Sequence, residues 1–380
     1  MPTSKTSLYD VIIVGAGING CTTAYFLQKA GLKVALVDKE GIASGGSGAA
    51  GAFISPKISK EGVLKEIMGE AHLEALDFYT TLFPVYTLQK PLLHIAKTPE
   101  EGETLKRFKK ETVLKLTPLD VNTEALLSSE ARDVESICFS EGAVVDAFGV
   151  CNALAEEIDF YKQEVQSLRY DEGTWNVGDL RASHVVLAIG AYPKILPIPY
   201  LTLRGIWGHR IDIETTTHLP TILHHYVSIS PTSHENIMAI GATHNVHYCP
   251  SDSAPYNVEE GRKELLEKAL KTLKLENIKI VQDYAGLRSG SNDYLPMLGS
   301  LVDAEATLAR YPQLKNGRAV TPSEFITYPH LTMINGSGGY GFVLAPYLAK
   351  RLKEYLVEKK PLDERLSPGR FFPRWAKRQS

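Results

Sequence analysis

The sequence predicts an α/β fold in two parts, on three observations. Residues 9–39, YDVIIVGAGINGCTTAYFLQKAGLKVALVDK, read as strand, glycine turn, helix, strand. Residues 331–350, LTMINGSGGYGFVLAPYLAK, read as another strand, glycine turn and helix. Between them, residues 203–248 hold short β-type runs bounded by turn residues, which predicts an antiparallel sheet beside the first unit. The class that follows is a Rossmann-type dinucleotide-binding domain with a second, α+β substrate domain built on that antiparallel sheet.

In the first unit an apolar run over residues 11–14 feeds the turn, and each glycine there has a physical task. Gly15 permits the tight turn, Gly17 lets the backbone approach a pyrophosphate, and Gly20 lets the helix pack close on the strands. Ile18 and Asn19 open that helix, whose free N–H groups face the phosphates. Asp38 ends the second strand, with Lys39 beside it, and is placed to accept hydrogen bonds from the adenosine ribose. An acid at this point argues against a 2′-phosphate, so NADP is disfavoured while FAD and NAD both fit.

Residues 41–56, GIASGGSGAAGAFISP, hold five glycines and predict a loop running into a short helix. Its small residues, among them Ser44, Ser47, Gly48, Ala49 and Ala50, allow close approach to a bulky flat ligand. Apolar residues recur at helical spacing over 61–83 and predict a long amphipathic helix. Residues 84–132 carry no motif and are assigned to the substrate side. The nucleotide fold resumes near Gly142, with a strand end and helix over 143–158 and a strand over 164–168 that brings Val165 to the cofactor. The run HVVLAIGAY predicts a buried strand ending in Gly190-Ala191, with Ala188 and Gly190 at the cofactor, because ligands lie at the carboxyl ends of such strands. Residues 258–275 predict a charged amphipathic helix. Residues 285–299, AGLRSGSNDYLPMLG, place Arg288 in a loop.

The closing turn, Gly338, Gly339, Tyr340, Gly341 and Phe342, offers a second helix N-terminus. Its natural partner is an anionic or electron-accepting group, and an isoalloxazine ring fits because its reduced form carries negative charge along one edge. Between the two cofactors left open above, this turn favours FAD. The expected organisation is a discontinuous FAD-binding domain (1–83, 142–200 and 285–365), a substrate domain (84–141 and 201–284) and a basic aromatic tail (366–380).

Composition limits the alternatives. Of the 380 residues 44% are hydrophobic and 22% charged, which is a globular balance, and a formal net charge of −3 gives no global field for nucleic acid. The four cysteines, Cys21, Cys138, Cys151 and Cys249, form no CxxC pair, so neither a disulfide framework nor a zinc site is indicated and a reducing, cytoplasmic setting is expected. His224, His225, His244 and His247 show no metal-ligand spacing, so no metal is expected. No apolar run reaches membrane-spanning length.

These motifs resemble those of the FAD-dependent amine oxidoreductases that include D-amino-acid oxidase, glycine oxidase and sarcosine oxidase. The likeness runs through VIIVGAGINGCTTAYFLQKAG with Asp38, SGGSGAAG, HVVLAIGAY, AGLRSGSNDYLPMLG and INGSGGYGFVLAP. Within that superfamily the chain is most similar to the oxidoreductase domain of the bifunctional tRNA 5-methylaminomethyl-2-thiouridine biosynthesis enzymes, on IASGGSGAAGAFISPKIS, LRGIWG, YVSISP, IGATHN and the tail LSPGRFFPRWAKR. The sequence begins at the nucleotide motif, without the methyltransferase half found in those enzymes, so a separate methyltransferase is expected to act on the product.

The resemblance implies oxidation of a secondary amine at the tRNA wobble position. The carboxymethyl arm of 5-carboxymethylaminomethyl-(2-thio)uridine would leave as glyoxylate, giving 5-aminomethyl-uridine. The alternative is a small-molecule amine oxidase acting on glycine, sarcosine or a D-amino acid. Arg288 is the candidate carboxylate clamp, because a guanidinium offers a planar bidentate fork. Tyr226 and Tyr340 are candidate hydrogen-bond partners of the substrate. No cysteine follows Cys249, so the FAD is expected to be held noncovalently. Arg365, Arg370, Arg374, Lys377 and Arg378, interleaved with Phe371, Phe372 and Trp375, suit phosphate contact and base stacking, and equally a tail that lays its aromatics on the core.

Overall fold

The computed structural model of the chain describes residues 8–59, 61–192, 195–245 and 256–379. The expectations attached to His247, Cys249 and Ser380 lie outside those residues.

The first sheet runs in the order Met297–Val302, Thr327–Asn335, Leu180–Leu187, Leu8–Val14, Val34–Asp38, Asp159–Lys162. The pairings along that order are parallel, except that Met297–Val302 adds antiparallel to Thr327–Asn335. A hairpin of Leu168–Asp171 and Thr174–Val177 hangs on Leu180–Leu187. Alternation along Leu8–Val14 explains why this sheet is covered on both faces. Val11 and Ile13 enter a core shared with the helices Ile18–Lys29 and Gly341–Glu358, while Ile12 and Val14 enter another with Val185, Leu187 and Trp175. This is the Rossmann-type half.

The second sheet runs Lys279–Gly290, Arg204–Glu214, Ile237–Gly241, Ser228–Ile229, Ile222–His224, Thr87–Ile95, Ser136–Val145, Phe53–Ile54. Every pairing is antiparallel except that between Ile222–His224 and Thr87–Ile95. The helix Val258–Leu270 covers it through Leu265 and Ala269, which join Ile211, Ile213 and Ile240 in its core.

Several local expectations change in the folded chain. The loop 41–56 does not pass into a helix; it forms consecutive turns and the short strand Phe53–Ile54, paired to Ser136–Val145. The strand expected at 164–168 is Asp159–Lys162, which leaves Val165 in the following loop. Arg288 is not in a loop but on the long strand Lys279–Gly290, opposite Ile206. The tail, by contrast, takes the expected form in which its aromatics pack on the body. Phe372 is fully buried, with its ring 5.6 Å from that of Tyr200 and 5.1 Å from that of Phe325. Among the described residues no helix is long and apolar enough to cross a membrane.

Candidate cofactor and substrate site

A cavity of about 850 Å³ lies between the two sheets, lined from both. Its nucleotide end is built by the first glycine turn. Gly15 has φ +107°, and a Cβ there would lie 2.3 Å from the Ala188 carbonyl oxygen, so only glycine fits this crossing of two strand ends. Gly20 closes the turn from behind, where a Cβ would meet the Gly15 carbonyl oxygen at 1.8 Å. The helix Ile18–Lys29 starts at Gly17 with no side-chain cap from that residue and no acid in its first turn. Ser47 Oγ accepts from the Ile18 N–H at 2.9 Å, which brings the small-residue loop to the phosphate-binding end of the helix.

Asp38 holds the turn and keeps capacity for a ligand. Its Oδ1 accepts from the N–H groups of Glu40 (2.9 Å) and Gly41 (3.1 Å), whereas among the described residues Oδ2 accepts only from the Ala16 N–H at 2.9 Å. A carboxylate oxygen takes about two donors, so Oδ2 can receive one ribose hydroxyl. The Lys39 ammonium lies 5.0 Å over the ring of Tyr192, whose phenol is pushed up by burial and by Asp38 and Glu40.

The two glycine turns are tied together. Asn19 Nδ2 donates to Ser337 Oγ at 3.1 Å, and Asn335 Nδ2 donates to the Gly190 carbonyl at 3.0 Å. The helix Gly341–Glu358 begins at the cavity with neither a side-chain cap nor an acid in its first turn. Two helix N-termini without an acid in the first turn thus open on one cavity, an arrangement complementary to a ligand with a pyrophosphate at one end and an electron-accepting ring at the other.

Arg288 reaches the cavity across a glycine. A Cβ on Gly208, on the neighbouring strand, would fall 2.3 Å from the Arg288 guanidinium, so this side chain lies flat where any other residue would displace it. Burial lowers its pKa from the usual arginine range, partly offset by the Tyr256 and Tyr340 hydroxyls. Among the described residues no carboxylate pairs with it. His244, at the same end of the cavity, is held below the usual histidine range by desolvation and by the charges of Arg288, Arg204 and Lys268. A desolvated cation without an acid partner, in a positively charged neighbourhood, is a place for an anionic group.

Most of the sequence-predicted residues meet here. Lys39, Ser44, Ala50, Val165, Ala188 and Gly190 line the cavity, as do Gly338, Gly339, Tyr340, Gly341 and Phe342. Gly20, Gly48 and Ala49 do not line it; they pack the turns from behind. The Tyr340 hydroxyl accepts from Lys57 Nζ at 2.7 Å. Tyr226 borders the cavity, but its hydroxyl is spent on Glu130 at 2.8 Å. Sequence reasoning missed Ser337, Asn335, His244 and Tyr256. Asn335 and Ser337 stand in INGSGGYG and could have been found there; His244 and Tyr256 lie outside the strands and leave no local signal.

The chain is similar to the tRNA 5-methylaminomethyl-2-thiouridine biosynthesis bifunctional protein MnmC of Legionella pneumophila (strain Corby), at 25% identity over 95% of this chain and 57% of that protein. The chain therefore spans little more than half the length of this curated relative. Among solved structures it superposes on glycine oxidase from Geobacillus kaustophilus with TM-score 0.76 and 23% identity, covering 95% of this chain and 98% of that one. It also superposes on FAD-bound L-alpha-glycerophosphate oxidase from Mycoplasma pneumoniae with TM-score 0.74 and 16% identity, covering 96% and 98%. Residues 10–355 match the family described as FAD dependent oxidoreductase (DAO), and the chain belongs to that family.

Proposed function

We propose that this FAD-dependent oxidoreductase removes the carboxymethyl arm of 5-carboxymethylaminomethyl-(2-thio)uridine at the tRNA wobble position. The observation that carries the reading is the buried guanidinium of Arg288, with no carboxylate partner among the described residues, lying flat over Gly208 in the wall of the cavity. The likeness to the MnmC proteins, whose name states a role in tRNA modification, supports tRNA over a free amine.

Bound FAD supplies a two-electron acceptor. The residues of the chain supply position. Arg288 holds the substrate carboxylate by a bidentate pair and so fixes the carbon between amine and carboxylate. Tyr340 borders the same space and orients the amine. Loss of two electrons and two protons from the C–N unit leaves an imine, which one water hydrolyses to glyoxylate and the 5-aminomethyl nucleoside. The reaction that consumes this product is N-methyl transfer, carried by another protein or by a segment outside this sequence. Noncovalent retention of FAD is supported by the cysteines: Cys21, Cys138 and Cys151 are buried and none of them lines the cavity.

The test is anaerobic bleaching of the flavin absorbance by bulk tRNA from cells lacking this gene, set against glycine, sarcosine and D-alanine. Bleaching by that tRNA with release of glyoxylate is expected. Arg288→Lys should slow it about 100-fold, because the bidentate geometry is lost. Bleaching by the small amines alone would replace the tRNA reading with that of a small-molecule amine oxidase.

A further inference from the structure

Around the Arg288 end of the cavity two aromatic rings face solvent, each covered by a cation with no acid partner. Tyr294 is 68% exposed, and the Arg204 guanidinium carbon lies 5.0 Å from its ring centroid. Tyr340 is 36% exposed, with Lys57 Nζ 4.5 Å from its ring centroid. Among the described residues neither Arg204 nor Lys57 forms an ion pair. The segments that carry the two rings are joined through the backbone. Arg204 is in register with Gly290, which bridges to Ser337 at the start of the closing turn.

Tyr294 is held outward. It has φ +65°, a backbone region that aromatic residues rarely occupy, so its surroundings must impose the conformation. The imposing groups are Arg370, which bonds Asp293 through both carboxylate oxygens at 2.8 and 3.0 Å, and Ser291 Oγ, which donates to Asp293 at 2.8 Å. Arg370 also donates to the Leu295 carbonyl at 3.0 Å, so both neighbours of Tyr294 are pinned. A tyrosine fixed in this way and left in water, under a guanidinium, has the features of a ring that stacks on a base: a rigid flat face with positive charge beside it.

We infer that Tyr294, with Arg204 over it, is a stacking platform for an unpaired RNA base next to the one whose arm reaches Arg288, and that Arg204 and Lys57 face the flanking phosphates. The inference rests on the tRNA reading and names the surface that would select RNA over a free amine. It also gives the tail a different role from phosphate binding, since Arg370 is a positioning residue for the platform.

The test uses the flavin-loaded protein and a labelled anticodon stem-loop RNA with 2-aminopurine beside the wobble position. Wild type is expected to bind the RNA by fluorescence anisotropy and to quench the 2-aminopurine. Tyr294→Ala should weaken binding about 5- to 100-fold, the loss of one base–aromatic stack, while Tyr294→Phe keeps it. Arg204→Ala should weaken it and flatten its salt dependence. Flavin content reports whether each variant is folded. Equal binding by wild type and a flavin-loaded Tyr294→Ala, or binding without quenching in wild type, overturns the platform and leaves the tRNA reading standing. No RNA binding by wild type removes both.

Discussion

Asp293 accepts from Arg370, Ser291 and the Leu295 N–H, and these bonds decide how the loop around Tyr294 responds to acid. Burial works against its charged form, but the Arg370 and Ser291 hydrogen bonds outweigh that and hold its pKa below the usual carboxylate range. A carboxyl depressed by folding contributes stability that is fully present above its unfolded value of about 3.9 and is lost as pH falls through the lower folded value. Asp293→Asn is therefore expected to melt below wild type at neutral pH, with the gap closing as pH drops under about 4. The pair is partly solvated, 38% on the carboxylate side, so the gap is small. Melting temperatures of both proteins across pH check it, and a gap that stays constant down to pH ~3 contradicts the assignment. At this scale the sequence shows residues whose role is local. Gly15, Gly17 and Asp38 were legible because turn, helix start and strand end are contiguous. Tyr294 was not, because what fixes it is the bond from Arg370 to Asp293, 77 residues apart. The hydrogen bond of the Tyr226 hydroxyl was hidden for the same reason: its partner Glu130 is 96 residues distant.

The small-residue loop and the strand Lys279–Gly290 show why one element can be read correctly for an incomplete reason. The glycines of 41–51 were expected to admit a flat ligand, and Gly45, Gly46 and Gly51 do line the cavity. They also admit the strand. A Cβ on Gly46 would meet the Leu287 carbonyl oxygen at 2.6 Å, and one on Gly286 would meet Ala49 Cβ at 2.7 Å and Gly46 Cα at 2.9 Å. That glycine-to-glycine contact sets the depth at which Arg288 enters the cavity. Gly286→Ala is expected to destabilise the protein by about 1–3 kcal/mol through overpacking against backbone, and to weaken FAD retention because the loop carrying Ser47 is pushed back. Gly290→Ala on the same strand is the control, since its Cβ would find nothing closer than 3.9 Å. Chemical denaturation and the FAD released on dilution measure both effects; equal behaviour of the two variants would show that the contact does not set the loop. Neither the pairing of these segments nor the placement of Arg288 on a strand could be seen beforehand, because a glycine-rich run followed by Asn-Asp reads locally as a turn.

At the scale of the whole molecule the cavity is the joint between the two sheets. Its walls take Val14, Val37, Asp38 and Ala188 from the first sheet and its connections, and Gly241, Ala242, Leu287 and Arg288 from the second. The doubly covered first sheet was legible because both glycine units stand directly after apolar strands. The order of the second was not, since Phe53–Ile54 and Ser136–Val145 pair across more than eighty residues and only their common antiparallel character shows in the runs. A ligand occupying this joint must contact both sheets and therefore couples their opening. At a hundredfold excess over its Kd, FAD stabilises the native state by about 2.7 kcal/mol, which slows exchange of amides that open globally by about 100-fold. Hydrogen exchange on flavin-stripped protein with and without FAD is thus expected to show added protection in Leu8–Val14 and residues 44–52, and equally in Lys279–Gly290 and Ile237–Gly241. Protection confined to the first group would mean that the cofactor stops at the nucleotide end and that Arg288 faces a space it does not reach.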